Sequence, residues 1–226
     1  MLSDYEMMTT GQLSKKIFGD IALTTILRRF RKLEKGKWIR RIRGLESGEL
    51  VWTITDYAAF KLGRKGFIDK INKNQLEHDL LVTQARIHFE KSPLISNWKT
   101  EQAIRRSADP GQYGSLNPDG LFAISTNKGP KIGALEVEIS RKKFSRYEEI
   151  FYNYKHKENI AMVCYVVTSD AFGRALAKRW DETAMSRLSY EESKCKFFWI
   201  CLSDLFNSKS AINLQSLKKP LSLTLS

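Results

Sequence analysis

Residues 24–55 read TTILRRFRKLEKGKWIRRIRGLESGELVWTIT, and this stretch decides the fold predicted for the N-terminal third of the chain. In its first part, apolar residues recur every three or four positions: Ile26, Leu27, Phe30 and Leu33. This spacing predicts a helix that begins near Thr24 or Thr25, both good N-caps, and ends at Gly36.

Two strands are predicted to follow this helix. Apolar residues and arginines mix over residues 38–43, a second apolar run covers residues 50–55, and residues 44–48 have the composition of a hairpin turn. Helical patterns also cover residues 11–18 and 56–63. The predicted order is therefore helix, turn, helix, β-hairpin and helix.

Positive charge is concentrated in the same stretch. Residues 28–43 contain nine basic residues and one acidic residue, Glu34, within a chain of 226 residues and formal net charge +13. A solvated helical face normally interleaves both signs. The excess predicts a polyanion partner, most simply nucleic acid, with a general solubility patch as the alternative.

The order of these elements resembles a winged helix-turn-helix domain. The resemblance implies that the helix over residues 24–35 enters the major groove and that the hairpin touches the DNA backbone or the minor groove. The DNA-binding residues that it implies are Thr24, Thr25, Arg28, Arg29, Arg31, Lys32, Lys35, Arg40, Arg41 and Arg43. Winged helices also serve as protein-interaction modules, and that alternative stays open.

The rest of the chain predicts an α/β domain around a mixed sheet. Its elements follow the order α-β-β-β-α-β-α-β, which is also that of the restriction-endonuclease-like core. The predicted organisation is a winged helix over residues 1–66, a linker within residues 61–74, a nuclease-like domain over residues 75–204 and a poorly patterned tail over residues 205–226.

Four acidic residues of the second domain are candidates for chemistry. Asp119 precedes one predicted strand, Glu136 and Glu138 share a face of the next strand, and Glu77 lies on the first helix. Same-face carboxylates in an apolar strand are costly unless a partner compensates them. Asp119 and Glu136 are the candidate ligands for Mg²⁺, which would activate water for phosphodiester cleavage.

The spacing resembles the PD-(D/E)xK nuclease motif, with Pro118 and Asp119 followed by Glu136 and Glu138. Glu138 stands where that motif has lysine, and Lys142 is the candidate that supplies positive charge nearby. Two other interpretations remain. Residues 117–120, Asn-Pro-Asp-Gly, form a strong turn sequence, and the glutamates could pair structurally with Arg105, Arg106 or Arg141.

Several further motifs are spread over most of the chain. They are EHDLLV (residues 77–82), Trp98 with Glu101 and Arg105–Arg106, PDGLF (residues 118–122), LEVE (residues 135–138) and an aromatic helix with Tyr147, Phe151 and Tyr154. Together with the winged helix, they resemble the replication-relaxation or mobilisation-accessory family of plasmids, phages and integrative elements.

The resemblance implies binding of double-stranded DNA in replication, mobilisation or transcriptional control. Relaxase or replication proteins would be partners, and a homodimer is expected because winged helices often pair on palindromic sites. Three functions compete: a DNA-binding protein, a Mg²⁺-dependent endonuclease, and an adaptor that docks through the aromatic helix. No cofactor is expected unless the acidic cluster is catalytic.

Other signals limit the class of protein. The three cysteines, Cys164, Cys195 and Cys201, lie in apolar runs and predict reduced thiols in a bacterial cytoplasmic protein associated with the nucleoid or a plasmid. Neither a secretory signal nor a membrane-spanning run is apparent, and no phosphate-binding loop of the Walker type is present.

Overall fold

The computed structural model describes residues 2–43, 45, 47–63, 75–106, 116–185 and 195–225. The chain divides into two compact units, Met1–Gln84 and Ala85–Ser226. Three regions lie outside the described residues: the predicted linker beyond residue 63, residues 109–115, where glycine and proline predict a loop, and two positions of the predicted turn at residues 44–48. The predicted domain limits remain predictions.

The first unit combines short helices with a small sheet. Its elements are α1 (Leu2–Tyr5), β1 (Met7–Thr9), α2 (Thr10–Leu13) continued by a π-helical turn (Ser14–Phe18), α3 (Leu23–Lys35), β2 (Ile39–Ile42), β3 (Val51–Ile54) and α4 (Asp56–Lys61). Helix α5 (Leu76–Phe89) begins in this unit and ends in the second. Thr9 caps α2 in a reciprocal capping box with Gln12.

The sheet of the first unit has the order β1-β3-β2, with both pairs antiparallel. Its central strand supplies Trp52, which is 1% exposed and whose ring centroid lies 5.0 Å from that of Phe30 on α3. Met7, Val51 and Leu80 form a second part of the core. Apolar residues of α3, β1, β3 and α5 thus form the core of this unit.

The second unit is built on one larger sheet. Its elements are β4 (Ile95–Thr100), α6 (Glu101–Arg105), β5 (Gly120–Thr126), β6 (Gly129–Glu138), α7 (Phe144–Lys155), β7 (Ile160–Val167), α8 (Asp170–Met185), β8 (Lys196–Cys201), α9 (Leu202–Phe206), β9 (Ala211–Leu214) and β10 (Leu221–Thr224). The sequence predicts a helix over residues 170–188; the structure describes it from Asp170 to Met185, and the last three positions lie outside the described residues.

The strand order is β4-β5-β6-β7-β8, antiparallel from β4 to β6 and parallel from β6 to β8. This confirms the predicted α/β class with a mixed sheet. Helix α7 buries Tyr147, Phe151 and Tyr154 at spacings of four and three residues, each at most 1% exposed. They pack in one core cluster with Tyr165 of β7 and Trp180 of α8.

The C-terminal residues are more regular than expected. Instead of an unpatterned tail, β9 and β10 form an antiparallel pair, and Gln215 exchanges backbone hydrogen bonds with Trp199 on β8. Ile212, Leu214 and Leu223 are buried and supply the period-two pattern that marks a half-buried strand. At four residues each, these strands are too short for a clear sequence signal.

Within the described part of the chain, no helix is both long enough and apolar enough to cross a membrane. All three cysteines carry free thiols, and Cys164 and Cys195 are buried.

Candidate functional site

Helix α3 presents its basic residues on the side opposite the core. Ile26 and Phe30, at 0% and 4% exposure, define the buried side. At about 100° per residue, the opposite side is an arc of roughly 100° centred near Arg28. Five exposed side chains occupy that arc: Thr24, Arg28, Arg31, Lys32 and Lys35. The surface formed by these five residues is called the basic face below.

The start of α3 differs from the prediction. The helix begins at Leu23 with Ala22 as the flanking residue, and no side chain caps it. Thr24 and Thr25 lie inside the first turn, so the predicted threonine cap is wrong. The end at Lys35, followed by Gly36, agrees with the prediction. Thr25 is half-buried, and Arg29 lies at the flank, with its guanidinium 5.7 Å from the centroid of the Phe18 ring.

Strand β2 adds exposed arginines at the edge of the small sheet. Ile39 and Ile42 are buried, whereas Arg40 and Arg41 between them are exposed, as is Arg43 directly after the strand. The order β1-β3-β2 leaves β2 at an edge.

Arg41 of this strand bonds Glu34 of α3 at 2.6 Å. The pair is partly exposed and couples the end of the helix to the strand. Of the ten predicted DNA-binding residues, nine are therefore exposed, and Arg41 among them is in an ion pair.

The hairpin between β2 and β3 is anchored at its base to α2. Thr10 donates its backbone N–H to the carbonyl of Leu50 at 3.0 Å, and the Trp52 indole donates to the Thr10 hydroxyl at 2.9 Å. Gly48 has φ of +70°, a left-handed conformation that glycine adopts without strain. These contacts set the direction in which the hairpin leaves the sheet.

Three of the four predicted acidic residues lie together in the second unit. Gly120 on β5 pairs with Leu135 on β6, which brings the preceding Asp119 beside Glu136. The Asp119 carboxylate accepts a hydrogen bond from the Val137 backbone N–H at 2.7 Å. Asp119 is half-buried and follows the buried Pro118, so the Asn-Pro-Asp-Gly segment positions a carboxylate directly before β5.

Glu136 points toward helix α7. Its carboxylate accepts a hydrogen bond from the hydroxyl of Tyr154, a residue with 0% exposure. Burial raises the pKa of Glu136 well above its ordinary value, and the negative charge of Asp119 raises it further. The Tyr154 hydrogen bond partly opposes this rise. Burial and the Glu136 charge in turn raise the pKa of Tyr154.

Glu138, which is 4% exposed, is paired with Lys142. Burial raises the pKa of Glu138, and the hydrogen bond from the Lys142 ammonium lowers it in part. Tyr147 accepts a hydrogen bond from the Lys142 backbone N–H at 3.0 Å, and burial raises the pKa of this phenol to about 12. Lys142 thus reaches back to the strand position where the nuclease motif has its lysine.

The three arginines that the sequence offered as partners of the glutamates contact other groups. Arg105 bonds Glu101 and Arg106 bonds Gln102, both within or next to α6. The guanidinium of Arg141 lies 5.2 Å from the centroid of the Phe172 ring. The cation beside Glu138 is Lys142.

Glu77 belongs to the first unit. It is exposed in the first turn of α5, in the part of that helix that belongs to the first unit. Asp119, Glu136 and Glu138, by contrast, all belong to the second unit.

Tyr147 and Tyr154 are partners of the carboxylates that the sequence did not reveal. Their spacing of seven residues places them two turns apart on one face of α7, which predicts only a core stripe. Across the described residues, no three His, Cys, Asp or Glu side chains are placed to hold a metal ion.

No protein-family model, curated protein or solved structure matches the chain. The functional argument therefore depends on the two surfaces themselves: the basic face with its neighbouring arginines, and the carboxylate cluster of Asp119, Glu136 and Glu138.

Proposed function

We propose that the chain binds double-stranded DNA through its first unit. The observation that carries this proposal is the basic face of α3, which lies opposite the buried Ile26 and Phe30. No acidic residue occurs on that arc, so phosphates would meet an uninterrupted positive surface. An α-helix fits the major groove, where side chains reach base edges.

The arrangement around α3 supports a winged helix-turn-helix assignment. The helices and the strands of the three-stranded antiparallel sheet follow one another along the chain in the order that such a domain requires. The β2–β3 hairpin takes the place of the wing. In this proposal, Arg28 and Lys32 face the groove and Arg29 reaches it from the flank of α3, while Arg40 and Arg43 contact phosphates. Arg41 acts through its pair with Glu34, which orients the strand against the helix.

The biological setting is proposed from the sequence resemblance. The chain would belong to a plasmid, phage or integrative element and act in replication, mobilisation or transcriptional control. Its partners would include relaxase or replication proteins, and it would work in the bacterial cytoplasm at the nucleoid or on a plasmid.

Selection of bound sequences from a random duplex library, followed by band shifts, tests the DNA proposal. Arg28→Ala and Arg29→Ala are expected to relax sequence preference, whereas Arg40→Ala is expected to weaken all sequences about equally. Lys128→Ala, in the β5–β6 turn of the second unit, is the matched control. If both classes of variant behave alike, the assignment of groove-facing helix and wing is wrong.

A second candidate function, Mg²⁺-dependent cleavage of DNA, is favoured by the carboxylate cluster. The charges of Asp119 and Glu138 both raise the pKa of Glu136, so ionising all three carboxyl groups has a free-energy cost that the hydrogen bond from Tyr154 does not fully offset. A divalent cation relieves such repulsion, and carboxylate oxygens are the ligands that Mg²⁺ prefers. Asp119 and Glu136 would hold the ion.

Mg²⁺ bound there would lower the pKa of a water molecule and polarise the scissile phosphate. The protein groups have separate roles in this proposal. Tyr154 orients the Glu136 carboxylate, Glu138 holds the Lys142 ammonium, and Lys142 neutralises a phosphate oxygen next to the cluster. Glu77 has no role in this arrangement, because the proposal uses only groups of the second unit.

A plasmid-nicking assay with Mg²⁺ or Mn²⁺, run beside band shifts on the same samples, separates the two functions. Metal-dependent nicking that Asp119→Ala and Asp119→Asn abolish, with binding retained, would establish an endonuclease. Binding without nicking in either metal would leave a DNA-binding protein whose carboxylate cluster is structural.

A further inference from the structure

An aromatic surface on the first unit, called the α4 surface below, is formed by Trp38, Tyr57 and Phe60 together with Lys61. Their exposed fractions are large for such side chains: 39% for Trp38, 48% for Tyr57 and 78% for Phe60. The rings of Trp38 and Tyr57 touch edge to face with centroids 5.6 Å apart. Residues 57, 60 and 61 lie three and four positions apart, which places them on one side of α4. Exposed aromatic clusters of this kind mark interaction sites.

The side of α4 opposite the α4 surface packs against the rest of the first unit. Ala58 and Ala59 on the opposite side of α4 are buried against Ile54. Thr55 accepts a hydrogen bond from the Ala58 N–H at 3.1 Å, and its hydroxyl donates to the carbonyl of Lys37. The Thr55 backbone N–H donates to the carbonyl of Trp38 at 3.1 Å. The backbone that carries the aromatic side chains is therefore fixed before binding, which reduces the conformational entropy lost when they bind.

The charges of α4 indicate what binds there. The helix reads DYAAFK, with the exposed Asp56 at its start and the exposed Lys61 at its end. Two copies related by a twofold axis can pack this helix antiparallel against itself. Each Asp56 then meets Lys61 of the other copy, and Tyr57 and Phe60 fill the space between the two ion pairs. A parallel arrangement would place like charges together.

We propose that the α4 surface is a homodimer interface in which the α4 helices of two copies pack antiparallel. This proposal does not depend on DNA binding, because it involves other residues and its test contains no DNA. Few side chains take part, so the interface is smaller than the roughly 800 Å² per partner of stable complexes. The dimer is therefore expected to form and dissociate with concentration.

Sedimentation velocity of the full chain without DNA, between about 1 and 100 µM, measures this association. The wild-type chain should shift from monomer toward dimer across the range. Phe60→Asp should keep the chain monomeric throughout, because it places two carboxylates in the middle of the interface. Phe144→Asp, at another exposed phenylalanine in the second unit, should associate like the wild type.

A charge-exchange experiment tests the antiparallel geometry itself. Asp56→Lys gives a helix with two positive ends and Lys61→Asp one with two negative ends, so each variant should repel its own copies. An equimolar mixture of the two restores both ion pairs and should associate at least as well as the wild type. This recovery also shows that both variants are folded.

Three results would overturn the proposal. One is a wild-type chain that stays monomeric at about 100 µM, which would mean that another part of the same chain, or a different partner, covers the α4 surface. The others are association of Phe60→Asp equal to that of the wild type, and a mixture of the charge variants that associates no better than either variant alone.

Discussion

The hydrogen bond from Tyr154 to Glu136 provides the sharpest test of the carboxylate cluster. Tyr154→Phe removes one hydroxyl from a residue with 0% exposure and leaves the ring in place. Glu136 then loses the donor that favours its charged form while Asp119 continues to repel it. The variant should therefore raise the pKa of Glu136 further and destabilise the second unit.

The size of the effect depends on the charge of Glu136. A hydrogen bond between neutral groups contributes about 1 kcal/mol to stability, and one to a charged group about 1.5–3 kcal/mol. The loss caused by Tyr154→Phe should thus grow from about 1 kcal/mol in acid, where Glu136 is protonated, to about 2–3 kcal/mol in alkaline solution. With a urea m-value near 2 kcal/mol/M, the larger loss moves the unfolding midpoint by about 1 M.

Urea unfolding of the full chain at pH 5 and pH 9 measures both values. Tyr57→Phe, the same chemical change at an exposed tyrosine of the first unit, is the control and should shift the midpoint little at either pH. Combining Tyr154→Phe with Glu136→Gln completes a double-mutant cycle, and the pH-dependent part of the loss should vanish in the Gln background. A loss below about 0.5 kcal/mol, or one that is equal at both pH values and in both backgrounds, would refute the assigned hydrogen bond.

Three further predictions concern stability. The raised pKa of Glu136 means that the folded chain binds the proton more tightly than the unfolded chain, so the stabilising contribution of protonated Glu136 is present in acid and lost as the pH rises through the raised value. Glu136→Gln should therefore stabilise the chain in alkaline but not in acidic urea titrations. A gain in stability that does not depend on pH would contradict this. Gly173→Ala would place a methyl group 2.1 Å from the ring of Trp199, so thermal unfolding should show a loss of about 1–3 kcal/mol, whereas an unchanged midpoint would mean that the packing is looser than described. Thr9→Ala removes the capping box with Gln12 and should cost about 1 kcal/mol in the same assay, with Thr9→Ser as the conservative control that keeps most of the stability.

Local pattern was sufficient to predict most elements of the fold. The three- and four-residue spacing around Ile26 and Phe30 fixes both the helix and its buried side, and the side facing solvent follows by elimination. The mixed sheet was likewise predictable, because strands and helices alternate from residue 129 onward and β6, β7 and β8 are parallel. The spacing of apolar residues and the lengths of the connections between elements are local properties of the sequence, so they reveal helices and strands without knowledge of distant contacts.

Contacts between distant segments were not predictable. Nothing in residues 144–155 reveals that the hydroxyl of Tyr154 bonds the carboxylate of Glu136, on another element. The return of Lys142 to Glu138 depends on the path of the chain after β6, and the start of α3 at Leu23 depends on the turn before it. Such features are set by tertiary packing, which overrides local propensity.

The most direct test of DNA binding is the salt dependence of affinity for a duplex. Each phosphate that a basic residue neutralises contributes about −0.9 to the slope of log K against log salt. Arg40→Ala combined with Arg43→Ala should therefore reduce the slope by about 1.8, whereas Lys128→Ala combined with Lys131→Ala, on the second unit, should leave it unchanged. A wild-type chain without measurable duplex affinity at low salt, or equal slopes for both double variants, would contradict the account.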